Sequence, residues 1–197
     1  KKKKFLGNLN LIKKNPFMKI KKNIKNNYLL SKPNEENLLF AYSLIKILKI
    51  KDSIFLKSVN NFKGLPHRYE TFYKKNNVIF INDSKATTFE ATKYAIKNNQ
   101  NIFWIVGGRN KLGDNFELKG LKKNIIKSFI IGKKVNFFKN QLNNYINYKV
   151  SHTLQRAVID VFKELNNFNN EKITVLFSPA SASYDQFKNF MIRGNKF

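Results

Sequence analysis

The spacing of apolar residues changes partway along the chain. Between residues 34 and 50, the run NEENLLFAYSLIKILKI places Leu38, Leu39, Tyr42, Ile45, Leu48 and Lys49 at helical spacing. It predicts a helix that opens after Pro33 with Asn34 as its N-cap. A short second helix is predicted over residues 52–59. Residues 1–32 carry short apolar pieces (KKKKFL, PFMKI, NYLL) among lysines, which reads as edge strands and turns.

Beyond Phe62 the period changes. Apolar runs at 78–81, 102–106, 129–131, 145–148 and 174–177 read as strands, alternating with helical stretches near 88–98, 117–124, 134–143, 153–165 and 184–192. Strand and helix in alternation predict an α/β fold: a mostly parallel sheet with right-handed crossovers and helices on both faces. In such sheets ligands sit beyond the carboxyl ends of the strands. The unusual polar segments fall there: NDSKAT after 78–81, GGRNK after 102–106, SPASAS after 174–177. The change of pattern divides the chain into residues 1–64 and 65–197, with GLPHRYE at the break.

A net charge of +26 ordinarily points to a polyanionic partner. Of the 38 basic residues only Arg68, Arg109, Arg156 and Arg193 are arginines, and the lysines are scattered beside abundant Asn and Ile. Arginine is the better bidentate reader of phosphate. The charge therefore reads as surface composition, and a basic nucleic-acid-binding module, which gathers its cations on one face with stacking aromatics between them, stands as the alternative.

There is no cysteine, so disulfides and thiolate metal sites are excluded, and His67 and His152 are too few for a zinc site. No apolar run approaches the roughly 20 residues of a membrane span, and no signal-peptide pattern opens the chain. The expectation is a soluble, cytoplasmic protein with no membrane partner. Because the sequence starts at Lys1, a fragment of a longer protein is expected.

Four segments carry candidate chemistry. In NDSKATTFE, Thr87-x-x-Glu90 fits a capping box, whereas Asp83 and Lys85 at the strand's end fit a ligand site. In GGRNK, paired glycines admit a close backbone approach and Lys111 suits a carboxylate or phosphate, yet the segment matches no phosphate-loop pattern. In SPASASYDQFKNF, Ser183 either caps a helix or binds a carboxylate, and Phe187 and Phe190 read as core partners. His67 and Arg68 read either as packing residues or as phosphate contacts at a hinge.

The motifs FKGLPHRYE, FINDSKATTFEAT, IVGGRNK and LFSPASASYDQFKNFMIRGNKF resemble, in order and spacing, the Mur ligase family, in the branch that adds D-glutamate. The resemblance is strong over residues 62–197 and weaker over the PNEEN helix. It implies that residues 1–64 end a central ATPase domain and that residues 65–197 form a Rossmann-like C-terminal domain that binds the incoming amino acid. The phosphate loop, magnesium ligands and carbamylated lysine of the family have no counterpart here, so the resemblance implies that they lie upstream of Lys1.

The implied activity is an ATP- and Mg2+-dependent joining of D-glutamate to UDP-N-acetylmuramoyl-L-alanine through an acyl phosphate, by a monomer with no nucleic-acid partner. By position the resemblance assigns Lys85 and His67 to catalysis and Thr87, Lys111, Ser183 and the backbone at Phe190 to D-glutamate. It assigns Asn34, Asn37, Arg68 and Asp83 to the nucleotide. The family commonly has Asn where Thr88 stands, Cys where Ser181 stands and His where Pro33 stands.

Overall fold

The computed structural model describes residues 14–26, 28–30, 32–168 and 171–197. The chain forms two compact units, Lys1–Gly64 and Leu65–Phe197.

The first unit contains helices α1 (Lys14–Lys21), α2 (Lys32–Ile47) and α3 (Asp52–Asn61). One apolar cluster joins Phe17, Ile20, Ile24, Leu38, Tyr42, Phe55 and Val59, and Tyr42 sits between Phe17 and Phe55 at centroid distances of 5.9 and 5.4 Å. PFMKI, expected as an edge strand, lies in α1 instead. Phe17 and Ile20 are three apart and so share a helix face, and Pro16 sits in the first turn, where its missing N–H matters least. KKKKFL lies outside the described residues.

Helix α2 opens two residues earlier than the sequence pattern implied. Pro33 occupies its first turn, and Asn34 lies inside the helix, not at its cap, with Nδ2 donating to the Tyr28 carbonyl at 2.9 Å. Leu48, expected on the apolar face, falls beyond the helix end and is exposed.

The second unit is built on a six-stranded sheet: β1 (Glu70–Lys75), β2 (Val78–Asn82), β3 (Ile102–Gly107), β4 (Ile125–Ile131), β5 (Tyr148–His152) and β6 (Ile173–Phe177). Their order is β1-β2-β6-β3-β4-β5; all neighbours are parallel except β1 and β2, which form an antiparallel hairpin. Helix α4 (Phe89–Lys97) follows β2, α5 (Val135–Leu142) follows β4, α6 (Leu154–Leu165) follows β5, and α7 (Phe190–Asn195) ends the unit.

Alternation along the central strands makes two cores. Ile102, Trp104, Val106 and Leu176 face α4 and α5, packing on Phe89, Ile96, Phe138 and Leu142. Phe103, Ile105, Val175 and Phe177 face the other way, onto Leu154, Ala157 and Val161 of α6. A strand buried on both faces reads as an unbroken apolar run, which is why IFWIV and TVLF are legible.

Four elements differ from the pattern-based expectation. Strand β1 was not anticipated, since ETFYKK is largely exposed and shows no apolar run; Asn76, at φ +51, makes the tight turn into β2. Residues 117–124 do not form a helix: only a 3-10 turn occurs, Lys122–Asn124, while Phe116 and Leu118 fill the core from a loop. The fifth strand begins at Tyr148, where the expected strand ended, because Ile146 enters the core before the strand starts. Helix α7 starts at Phe190 and not near 184; Asn189 is its N-cap, accepting from the Ile192 N–H at 2.8 Å.

Candidate functional site

Strands β2, β6 and β3 are neighbours, so the three polar segments at their carboxyl ends meet. The connection after β2 leaves through α4 toward one face of the sheet. After β6 the chain ends against the other face, where Phe187 and Phe197 pack. Adjacent strands whose connections leave to opposite faces open a crevice between them, the place where open α/β sheets bind ligands.

Asp83 heads the crevice. Its N–H extends the β2–β6 ladder by donating to the Phe177 carbonyl at 2.7 Å. Its Oδ1 accepts from the Tyr69 N–H at 3.0 Å and its Oδ2 from the Ser178 hydroxyl at 2.7 Å. Ser178 is in turn 2.9 Å from the Thr92 hydroxyl, and its carbonyl accepts from the Trp104 indole at 2.7 Å. Burial pushes the Asp83 carboxyl up to about 6, against the opposing pull of Ser178, the Tyr69 N–H and the Arg68 charge. Three non-glycine residues lining this region, His67, Tyr69 and Ala180, have left-handed backbones at φ +61, +49 and +55. Such strain gathers where a site dictates the local geometry.

The next residue, Ser84, is fully buried and ties α7 to the end of β2. Its hydroxyl donates to the Phe190 carbonyl at 2.8 Å and accepts from Arg193 Nε at 3.0 Å. The same guanidinium donates from Nη2 to the Ser84 carbonyl at 2.8 Å and from Nη1 to the Ser181 carbonyl at 3.0 Å. Burial pulls Arg193 down to about 10, with the Asp185 charge opposing, which leaves it a cation at neutral pH. Asn82 Nδ2 donates to the Gly194 carbonyl at 2.9 Å and approaches His67 Nδ1 at 3.2 Å, while Asn82 Oδ1 accepts from the Ser84 N–H. That set of partners fixes the amide's orientation, with its Nδ2 toward His67 Nδ1 and its Oδ1 toward the Ser84 N–H. Gly194 is required here because a Cβ would overlap the His67 ring.

The third segment joins the second through main-chain pairing. Arg109 and Ala182 exchange N–H···O bonds of 2.9 and 3.0 Å, and the Gly107 N–H donates to the Pro179 carbonyl at 3.0 Å. Gly107 has φ +134 and its Cα faces the Ile131 carbonyl, so a side chain there has neither the backbone freedom nor the space.

The assigned residues distribute as follows. Lys85 is exposed, with Nζ 4.2 Å from the centre of the half-buried Phe190 ring. Thr87 is half-buried; the cap of α4 is Thr88, which accepts from the Ala91 N–H at 3.3 Å. The capping box expected from Thr87 and Glu90 is therefore absent, and Glu90 pairs with Lys93 at 2.8 Å. Ser183 is buried and opens a turn, its carbonyl accepting from the Gln186 and Phe187 N–H groups, rather than capping a helix. Lys111 is exposed, in a loop closed by its own N–H donating to Asp114 at 2.7 Å. Of the two phenylalanines read as core, Phe187 packs on the α6 side, while Phe190 lies at the mouth of the crevice beside Lys85. Arg68 is exposed and His67 half-buried. Asn34 and Asn37 belong to α2 of the first unit.

Asn82, Ser84 and Ser178 build the site from within segments the sequence marked as polar strand ends, though none was assigned a role of its own, while Thr92 and Arg193 join it without having been marked as site residues. A buried arginine surrounded by carbonyl and hydroxyl acceptors leaves no periodic signal. Among the described residues no group of three or more His, Asp and Glu side chains is placed to hold a metal ion. A groove of about 910 Å³ lies at the ends of β4 and β5, lined by Lys133, Lys134, His152 and Gln186 among others, and includes none of the assigned residues.

The fold and the crevice define a Mur-ligase-type α/β unit. MurF from Acinetobacter baumannii superposes with a TM-score of 0.64 at 13% identity, covering 85% of this chain and 38% of that one. MurC from Thermotoga maritima, a UDP-N-acetylmuramate–alanine ligase, superposes with a TM-score of 0.56 at 15% identity, covering 84% and 37%. No family model matches the chain. The UDP-N-acetylmuramoylalanine–D-glutamate ligase of Bartonella henselae is 39% identical over 164 residues, 83% of this chain and 35% of the relative. Its namesake from the Wolbachia of Brugia malayi is 40% identical over 164 residues, 83% and 33%. The chain spans about a third of the length of these curated relatives. It belongs to the Mur ligase family.

Proposed function

We propose that this chain supplies the amino-acid-binding domain of an ATP-dependent ligase that joins D-glutamate to UDP-N-acetylmuramoyl-L-alanine in peptidoglycan synthesis. Residues 65–197 are that domain, and residues 1–64 are the end of the central ATPase domain. The enzyme acts as a monomer. The carboxylate of the nucleotide substrate takes the γ-phosphoryl group of ATP, releasing ADP; the D-glutamate amine attacks the acyl phosphate, a tetrahedral intermediate forms and collapses, and inorganic phosphate leaves with the new amide bond in place. Mg2+ accompanies ATP as its charge-neutralising partner. Among the described residues no group of three or more His, Asp and Glu side chains is placed to hold it.

The observation that carries this reading is the meeting of the three motif-bearing segments at one crevice, in a chain whose relatives bear that ligase's name. D-Glutamate is a dicarboxylate, which calls for hydroxyls, free N–H groups and cations. Thr87, Lys111, Ser183 and the backbone at Phe190 supply them, and Lys85 stands near the reacting groups. Asp83 takes the ATP ribose: each of its oxygens accepts one hydrogen bond in the fold and keeps a lone pair for a hydroxyl. His67 acts with Lys85 in catalysis beside the nucleotide, Arg68 serves the nucleotide phosphates, and Asn34 and Asn37 the adenine. The nucleic-acid-binding alternative is not supported, since the relatives and fold neighbours are ligases.

Lys111→Ala in the protein carrying this chain tests the assignment. The KM for D-glutamate should rise at least about tenfold, as for a lost charged contact, with the KM for ATP within about twofold. Equal rises in both would overturn it.

A further inference from the structure

The position of the Lys85 ammonium is set by a chain of contacts that begins in the buried interior. Arg193 has only donors, and the Phe190 carbonyl can only accept. Placed between them, the single proton of the Ser84 hydroxyl has one destination, the Phe190 carbonyl at 2.8 Å, and its lone pair takes Arg193 Nε at 3.0 Å. The guanidinium cannot swing away, because its other two arms are spent on the Ser84 and Ser181 carbonyls. Arg193 is 1% exposed and Ser84 0%. No acid lies within ion-pair distance of Arg193 among the described residues, so its charge is met by neutral acceptors whose positions it dictates.

Helix α7, six residues long, is thereby tethered at both ends: Ser84 holds its first carbonyl and Asn82 holds that of Gly194. Fixing the backbone at Phe190 fixes where its ring begins. That ring lies under Lys85 Nζ at 4.2 Å, within the range at which an aromatic face attracts an ammonium. An exposed lysine otherwise samples many rotamers, and a face that attracts its head group selects among them.

We infer that Arg193 and Ser84 are positioning residues that fix Phe190, and that the Phe190 ring is the rest on which the Lys85 ammonium is held at the mouth of the crevice. The consequence for ligation rests on the proposed function; the contact between Lys85 and the ring does not. The ring's role is to shorten the list of positions the ammonium occupies before substrate arrives, so its loss affects catalysis only through Lys85.

The test has two arms, both run on the protein carrying this chain. In the first, lysines are reductively methylated with 13C-formaldehyde, and the Lys85 methyl signal is assigned by its disappearance in Lys85→Arg. An ammonium over a ring face should give a signal shifted upfield from the other lysines. Phe190→Leu should return it to the common position, Phe190→Tyr should keep it upfield, and Ser84→Ala and Arg193→Lys should move it part of the way. A Lys85 signal among the other lysines in the native protein would overturn the contact, and an upfield signal unmoved by Ser84→Ala and Arg193→Lys would overturn the clasp. Should either buried-site variant fail to fold, Phe190→Leu, at a half-exposed position, still decides the contact.

In the second arm, Phe190→Leu should lower kcat/KM for ligation roughly threefold to thirtyfold, the span that corresponds to a cation–π contact, and change it less than about twofold in a Lys85→Met background. Equal losses in both backgrounds would show that the ring acts by another route and overturn the positioning role. An upfield Lys85 signal in a protein that ligates no amino acid would leave the contact standing and sink the proposed function; ligation without the upfield signal would do the reverse.

Discussion

The Ser178 hydroxyl donates to the Asp83 carboxylate at 2.7 Å, linking positions 95 apart in sequence across the ends of adjacent parallel strands. The bond closes one side of the crevice. It also accompanies an unusual acid, whose carboxyl burial pushes up to about 6 despite Ser178, the Tyr69 N–H and the Arg68 charge.

This acid makes folding stability depend on pH in a defined direction. An Asp in the unfolded chain titrates near about 4. Between pH about 4 and about 6 the folded state therefore holds more protons than the unfolded one, so stability is greatest below that window, falls as pH rises through it, and levels off above. Denaturant melts of the native protein and of Asp83→Asn, taken from about pH 4 to about pH 7, should diverge by up to about 3 kcal/mol, with the native protein losing ground as pH rises. Parallel profiles would remove the raised acid.

Two neighbouring threonines should separate by role. Thr88→Ala removes the cap of α4 and should cost about 1 kcal/mol in chemical denaturation. Thr87→Ala should stay within about 0.5 kcal/mol of the native protein while raising the KM for D-glutamate. The opposite assignment of effects would mean that the capping residue and the binding residue have been exchanged.

Glycine 107 should prove irreplaceable where Gly113 does not. Both have positive φ, +134 and +80, but a Cβ on Gly107 meets the Ile131 carbonyl, and one on Gly113 meets nothing within 4 Å. Gly107→Ala should therefore cost about 3 kcal/mol or more and Gly113→Ala about 1 kcal/mol. Similar melting temperatures for the two variants would contradict the close approach at the sheet's edge.

What could be read in advance follows from where the information lies. Strands β3 and β6 announced themselves because burial on both faces demands an unbroken apolar run, and α6 because its apolar face repeats every three to four residues. Strand β1 was hidden because it is an exposed edge whose stability comes from pairing with β2, not from its own sequence. The loop holding Phe116 and Leu118 mimicked a helix because apolar residues two apart among lysines fit more than one period. At PFMKI the lysines masked a helical face completed only by residues from α2 and α3.

The crevice shows the same division. That NDSKAT, GGRNK and SPASAS would lie at strand ends followed from strand and helix alternation, but their meeting required the order β2-β6-β3, which places the last strand between the first two of the parallel set. The residues that bind the segments to one another, Ser84, Ser178 and Arg193, act through contacts more than 80 positions apart in sequence, and no local pattern encodes such partners.

Asp83→Ala separates the nucleotide side of the crevice from the amino-acid side. It should raise the KM for ATP while leaving that for D-glutamate within about twofold, with Asp83→Asn intermediate because one oxygen still accepts. An unchanged dependence on ATP would remove the ribose role.

The most direct measurement is ATP-dependent ligation by the protein carrying this chain, given UDP-N-acetylmuramoyl-L-alanine together with D-glutamate, L-glutamate, L-lysine or meso-diaminopimelate. Product and stoichiometric phosphate with D-glutamate alone are the predicted result. Product with another of these amino acids, or none with D-glutamate under conditions where the protein is folded, would contradict the account.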